Sequence, residues 1–456
     1  MTSTATRDVV PLRDATRAWF LISLQTFGGP AGQIAVMQRT LVDERRWISQ
    51  QRFLFALSYC TLLPGPEAQQ LATYVGWLLN GTRGALIAGT LFILPGVVAL
   101  LGLSAVYVAF GDTVWVQGLF LGLAPAVIAI VLQALLRVAG RALHHPALIA
   151  IAVGAFIALS IFAVPFPLVI AAAALAGWVL GRVRPDVSAP KKIAASDGPP
   201  PLIADDALHS ELPSRTRTVF VLVFGVVIWL LPVALAAVFL GAQSVYVDQG
   251  LFFSGAALVT FGGAYAVLAY VGQQAVSVYG WLGSGEMARG LALAETTPGP
   301  LIMVVQFVAF LGAFRDPGAF GPWGGAVVAA LLVTWVTFVP SFLFILLGAP
   351  YVERLRQNRG LASALGGITA AVVGIIADLA LFFTLHTLFT QTTVVIWGPV
   401  VVEVPDFGTV DLVALAITVL ALFLVFVAKW GALRILGACA LVGIVSHLIV
   451  TALIGG

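Results

Sequence analysis

Residues 53–80 read FLFALSYCTLLPGPEAQQLATYVGWLLN, an apolar run broken at its centre by Pro64-Gly65-Pro66. At 1.5 Å rise per residue, each half is about 18–21 Å long as a helix. The hydrocarbon core of a bilayer is about 30 Å thick, so neither half crosses it alone. Two prolines around a glycine argue against one continuous helix. The stretch therefore reads as two half-helices meeting inside a membrane. The same arrangement returns as Pro298-Gly299-Pro300.

Composition agrees. Of 456 residues, 60% are hydrophobic and only 9% are charged, whereas soluble domains carry about 25% charged residues. A soluble protein is excluded, and the fold class is an all-α polytopic membrane protein. The net charge of +3 says little by itself, because basic residues in membrane proteins chiefly flag cytoplasmic loops. Cys60 and Cys439 lie far apart and are expected as reduced, small apolar residues. The N-terminus is polar and lacks a hydrophobic signal core, so the first apolar segment is expected to direct insertion.

Taken in order, a basic tail (1–16) precedes an apolar segment, 18–37, interrupted by Phe27-Gly28-Gly29-Pro30. A polar loop over 39–52 leads into the broken stretch. Spans follow at 85–110, 116–136, 147–164 and 167–180. Residues 182–217 hold Pro199-Pro200-Pro201 and little periodicity, and read as a linker. After a span at 219–240 come a segment at 251–271 with Phe261-Gly262-Gly263, a second broken segment at 286–313, and spans at 323–347, 361–389, 410–428 and 433–454. The divisions are a tail (1–16), a first repeat (17–181), a linker (182–217), an extra helix (218–241) and a second repeat (242–456).

The repeat is read from its punctuation. Phe27-Gly28-Gly29 and Phe261-Gly262-Gly263, Trp47 and Trp281, and the two Pro-Gly-Pro triplets all differ by 234 positions. After an insertion of about eleven residues, Pro95 falls opposite Pro340 and Gly122 opposite Gly367. Loop charges then give the orientation. Loops 39–52 and 137–141 are basic, and their partners at 273–285 and 390–409 hold no Lys or Arg. Loops near 111–114 and 164–167 hold none either, and their partners carry Arg354, Arg356, Arg359, Lys429 and Arg434. By the positive-inside rule the repeats are inverted, with span 219–240 supplying the odd crossing. The tail and linker are expected in the cytoplasm and the C-terminus outside. The broken segments read as re-entrant hairpins, giving nine spans plus four hairpins; if they cross instead, the total is thirteen.

Non-helical backbone at membrane depth survives only where protein or a cavity surrounds it. Half-helix N-termini at such breaks bind anions. The candidate substrate-binding residues are Gly28, Gly29, Pro30, Gln33, Pro64, Gly65, Pro66, Gln69 and Gln70 in the first half. In the second they are Gly262, Gly263, Thr296, Thr297, Pro298, Gly299 and Pro300. Three acids are candidates for proton coupling. Glu67 opens a half-helix, where a carboxylate also serves as a cap. Glu295 ends one, where the dipole opposes it. A charge at the bilayer centre costs roughly 2.5–3.5 kcal/mol even on lenient scales, so Glu295 needs a cation, a proton or a wet cavity. Asp378, in span 361–389, meets the same cost. No catalytic, metal-ligating or nucleotide-binding motif occurs, so neither an enzyme nor an ATP-driven pump is expected, and no cofactor or metal. His144-His145 reads as an interfacial turn.

FGGPAGQIAVMQ (27–38), LLPGPEAQQLATYVGWLLNG (62–81), FGGAYAVLAYV (261–271) and LALAETTPGPLIMVVQFVAF (291–310) together resemble the chromate ion transporter family in its long, two-domain form. The likeness spans the chain apart from tail and linker. It implies chromate export across the cell membrane, coupled to the proton motive force and giving chromate resistance. One departure stands out: many relatives carry a histidine after FGGPAA, where this chain has Gly32-Gln33. A dianion leaving a negative-inside cell gains roughly 2 × 2.3 kcal/mol per 100 mV. The partners implied are chromate, protons and the bilayer. Sulfate is a tetrahedral dianion of similar size and would compete. A homodimer is left open, and no nucleic acid is expected. A sulfate or other oxyanion carrier, and an anion channel, are the alternatives.

Overall fold

The computed structural model describes residues 9–27, 29–61, 63–184, 202, 214–261, 264–283, 285–349 and 359–454. Gly28, Gly262 and Gly263 lie outside the described residues, as do Arg354, Arg356 and nearly all of the linker. The first repeat comprises α1 (Leu12–Ser23), α2 (Gly29–Gln38), α3 (Gln50–Cys60), α4 (Glu67–Phe110), α5 (Val114–Ala142), α6 (Pro146–Ser160) and α7 (Phe166–Val183). The extra helix is α8 (Arg215–Leu240). The second repeat comprises α9 (Val245–Leu258), α10 (Ala264–Gln273), α11 (Glu286–Thr296), α12 (Val304–Arg315), α13 (Gly321–Gly348), α14 (Arg359–Leu388), α15 (Leu412–Phe426) and α16 (Ala432–Ile454). The repeat extends to detail: π-helical turns follow α2 at Arg39–Glu44 and α10 at Gln274–Val278.

The broken segments fold back on themselves. Tyr59 and Tyr74 flank the Pro-Gly-Pro break, yet their rings lie 5.3 Å apart. Across the second break, a Cβ at Gly290 would meet Phe307 Cδ1 at 2.5 Å. Phe252 of α9 lies 5.3 Å from Tyr270 of α10. Half-helices joined end to end would hold these pairs far apart, so these segments are hairpins. α4 is itself bent. Asn80 and Gly81 are non-helical, with Gly81 at φ 60° and ψ −149°. A Cβ at Gly84 would lie 2.2 Å from the Gly76 carbonyl oxygen, so 67–79 and 82–110 run antiparallel. In the second repeat the inserted residues between α12 and α13 make this turn. The return end of the hairpin rejoins the start of the chain: Val9 N donates to Leu79 O at 3.1 Å, and Asn80 Nδ2 to Val10 O at 2.6 Å.

Among the described residues, seven helices are long and apolar enough to cross a membrane. α6 and α15 have 15 residues each and rise about 22 Å, less than the apolar run at either place would allow. Ala163 at φ +48° and Pro165 end one early, and Lys429 at φ +55° follows the other. Residues 390–409, expected as a loop, contain an antiparallel hairpin, β1 (Thr392–Trp397) with β2 (Val400–Pro405). It is tied to the α6–α7 turn by Val401 N donating to Ile161 O at 2.7 Å.

The repeats exchange helices. α7 packs on α14 of the other repeat, and α16 packs on α5. Both contacts are backbone-close at glycine: a Cβ at Gly367 would sit 2.3 Å from Ala173 O, and one at Gly122 would sit 2.0 Å from Cys439 O. Small residues let helices approach where apolar burial gives no drive. Gly122→Leu is therefore expected to lower the unfolding temperature in detergent or abolish monodisperse protein, since overpacking costs about 1–3 kcal/mol or more. Gly154→Ala, with nothing within 4 Å of the new Cβ, should leave the unfolding temperature unchanged. Equal effects from both would remove the argument for a glycine-dependent exchange.

Candidate functional site

The four breaks meet in a crossed pair of hydrogen bonds. Gly65 N donates to Thr260 O at 2.7 Å, and Gly299 N donates to Thr26 O at 3.0 Å. Both donors and both acceptors are 234 positions apart, so the two bonds are one contact seen from each repeat. Gly65 at φ +128° and Gly299 at φ +107° take backbone that favours glycine. A Cβ on Gly65 would also lie 2.5 Å from Ser341 Oγ.

Around the breaks, glutamines satisfy backbone carbonyls. Gln33 Nε2 donates to Gly299 O at 2.6 Å and Gln70 Nε2 to Pro64 O at 2.7 Å, while Gln69 Nε2 reaches Thr73 Oγ1 at 3.0 Å. Each keeps a buried Oε1 with no partner among the described residues. Thr296 and Thr297 spend their hydroxyls on Leu293 O and Ala294 O of their own helix. Pro66 is the N-cap of α4, Pro300 precedes the turn leading into α12, and Pro30 lies in the first turn of α2. Pro298 O approaches Gly96, where a Cβ would lie 2.8 Å away.

Glu295 is 1% exposed and lies about 14 Å along α11 from Glu286. The Tyr265 hydroxyl donates to its Oε1. Gly29, at the start of α2 with φ +73°, faces it: a Cβ there would lie 3.9 Å from both carboxylate oxygens. The positive end of α2 thus abuts the carboxylate, offsetting the unfavourable end of α11. The charge of Arg137, on α5, acts on Glu295 and Tyr265 alike. A carboxylate of the chain occupies the place where the sequence leads one to expect a bound anion.

A cavity of about 520 Å³ opens beside this group. It is lined by Phe27, Gly32, Gln133, Arg137, Tyr265 and Glu295, and by the turn 429–434 with Lys429 and Arg434. Three cations thus face one carboxylate. α5 and the α15–α16 turn bring them together through the helix exchange. Arg137, Lys429 and Arg434 entered the sequence reading only as loop markers, and Tyr265 only as part of the FGGAYAVLAYV motif, with no role given to it. Their proximity had no local signal, although all three cations stood in loops already scored as basic.

The other acids lie apart. Glu67 is in the first turn of α4, half-buried and within the field of Arg141, and does not line this cavity. Asp378 accepts from Ser160 Oγ at 2.5 Å, tying the end of α6 to α14.

Comparison with known proteins gives a consistent picture. A family model described as chromate transporter matches residues 14–178 and 247–444, one block in each repeat. The chromate transport protein of Pseudomonas aeruginosa is 33% identical over 359 residues, 77% of this chain and 76% of the relative. That of Cupriavidus metallidurans is 26% identical over 445 residues, 98% and 96% of the two chains. The uncharacterized transporter YwrB of Bacillus subtilis is 34% identical over 122 residues, 27% of this chain but 61% of the relative, a chain of less than half the length. No solved structure matches.

The site sets two substitutions against each other. Removing a cation that hydrogen-bonds a dianion should weaken binding about tenfold or more. Removing a fixed negative charge from the same cavity should strengthen it. With sulfate as probe in titration calorimetry, Arg137→Gln is expected to raise Kd and Glu295→Gln to lower it and flatten its pH dependence. Weaker binding in both would mean that Glu295 supports the anion rather than competes with it.

Proposed function

The chain belongs to the chromate transporter family, and from this premise we propose that it is a secondary transporter carrying chromate out of the cytoplasm across the cell membrane. The observation that carries the reading is the basic cavity ending at the Tyr265–Glu295 pair and the N-terminus of α2. Positive-inside bookkeeping puts that cavity, with Arg137, Lys429 and Arg434, on the cytoplasmic face. A dianion enters it from the cell. The three cations concentrate it there, and they act more strongly against low-dielectric walls than in water.

Ionised Glu295 holds the positive end of α2 and repels the substrate. A proton on Glu295 removes the repulsion and frees the helix end and Arg137 for the oxyanion. Proton and dianion therefore load together, and protonation gates entry. With one proton aboard, each cycle still moves a net negative charge outward, so the membrane potential drives export. Proton exchange in the opposite direction would require the ionised carboxylate and the dianion to share one helix end, against their mutual repulsion. Sulfate offers the same charge and tetrahedral shape to these donors and competes. This transport gives the cell chromate resistance.

Everted membrane vesicles expose the cytoplasmic face and test the reading. Labelled chromate should enter them, faster when the medium is acidified and when the vesicle interior is made positive. Excess sulfate should block entry, and an opposing gradient of unlabelled chromate should drive counterflow. Acceleration by an acidic interior instead would establish proton exchange and remove the co-loading scheme. Flux without counterflow would make the protein a channel. Sulfate movement without chromate movement would change the substrate.

A further inference from the structure

A second cavity, of about 630 Å³, opens on the face opposite the basic one. The two cavities line up on the same helices. α5 contributes Gln117, Phe120, Leu121 and Pro125 to this cavity, and Ile130, Gln133 and Arg137 to the other. α11 contributes Glu286 and Arg289 to this one and Glu295 to the other. The separation is five residues on α5 and six on α11, or about 8–9 Å of helix.

The charges of the second cavity are mostly committed. Arg315 Nη2 lies 2.8 Å from both oxygens of Glu286. Asp411 accepts from Val413 N and Ala414 N, capping α15. His386 Nε2 lies 3.3 Å from Glu403 of β2. Arg289 differs. Nη1 donates to the Tyr107 hydroxyl at 3.1 Å, and its guanidinium carbon stands 5.9 Å from the Phe120 ring centroid. No carboxylate pairs with it among the described residues. Tyr107 in turn donates to Glu286 Oε1 at 3.1 Å, so a neutral hydroxyl holds Arg289 towards the cavity.

We propose that this cavity holds a second site for the transported tetrahedral dianion, with Arg289 as its anion-binding residue. The inference rests on the transport reading for which face is outer. An anion crossing the thin barrier from Arg137 meets Arg289 as the next cation without a carboxylate partner. Around it, two arginines face three carboxylates, Glu286, Asp112 and Asp411, where the inner cavity sets three cations against one. The outer site therefore binds more weakly and releases its ligand to the outside.

The test reads binding without flux. Cys60 and Cys439 are buried, so a single cysteine placed at exposed Gln117 is the reactive thiol. Its maleimide labelling is followed in purified, detergent-solubilised full-length protein with increasing sulfate. Sulfate should slow labelling in the Gln117→Cys protein, and adding Arg289→Gln should raise the half-protecting concentration about tenfold or more. Arg289→Lys should restore part of the protection. Arg137→Gln should leave it unchanged. Labelling unaffected by sulfate, or protection indifferent to Arg289→Gln while circular dichroism and elution volume match the parent, would overturn the proposal. Protection lost equally in Arg137→Gln would assign the sulfate to the inner cavity and overturn it too. Sulfate protection is read whether or not vesicles carry chromate, so failure of the transport reading and failure of this site are told apart.

Discussion

The arrangement depends on what happens to backbone groups freed at mid-membrane. A broken helix leaves N–H and C=O groups that lipid cannot satisfy. Here each break answers another across the pseudo-twofold axis: Gly65 N to Thr260 O, and Gly299 N to Thr26 O. Neither repeat can do this by itself, because each donor finds its acceptor in the other. The constraint then propagates. Glycine is required where the backbone turns at positive φ, and the neighbouring Gln33 and Gln70 are drawn in to cover Gly299 O and Pro64 O. The hairpins, and the depth at which they meet, follow from satisfying these groups.

The same mutual dependence shapes the periphery. Because α7 lies on α14 and α16 on α5, the basic residues after α15 reach the cavity mouth beside Arg137. Reciprocal packing of this kind makes a duplicated chain a single body. Each repeat is a complete unit of sequence, matched by its own block of the family model, but only half of the mutually satisfied core.

Much of this was legible in the sequence, for a physical reason. Gly, Pro and Trp at a fixed offset mark backbone geometry, and backbone geometry is what the two repeats share. The inversion is a reading of loop charge alone, which assigns a face to each loop by the positive-inside rule. Glu295 was legible because a carboxylate at depth is costly. What supports Glu295 was not. Tyr265, Gly29 and Arg137 converge on it from α10, α2 and α5, and only tertiary packing joins them. The β-hairpin is a different kind of miss. A run of β-branched residues on either side of Gly398-Pro399 carried a strand signal, passed over in a chain otherwise read for helices.

Duplication fixed the frame, and divergence supplied the chemistry. At the 234-residue offset, Glu295 falls opposite Thr61, Arg289 opposite Phe55, and Glu286 opposite Arg52. One repeat keeps the half-helix that the fold needs; the other gives the equivalent helix the charged residues that line the two cavities. An asymmetric pair of cavities cannot itself push a substrate uphill, since a ligand shifts a conformational equilibrium only by its differential affinity for the two states. What the asymmetry changes is which step is slow. On the proposed reading, a basic inner cavity would fill at low substrate concentration and a compensated outer one would empty readily. With export as proposed, the potential supplies the work, and unequal cavities would let the scaffold spend little of its cycle holding the anion on the outer side.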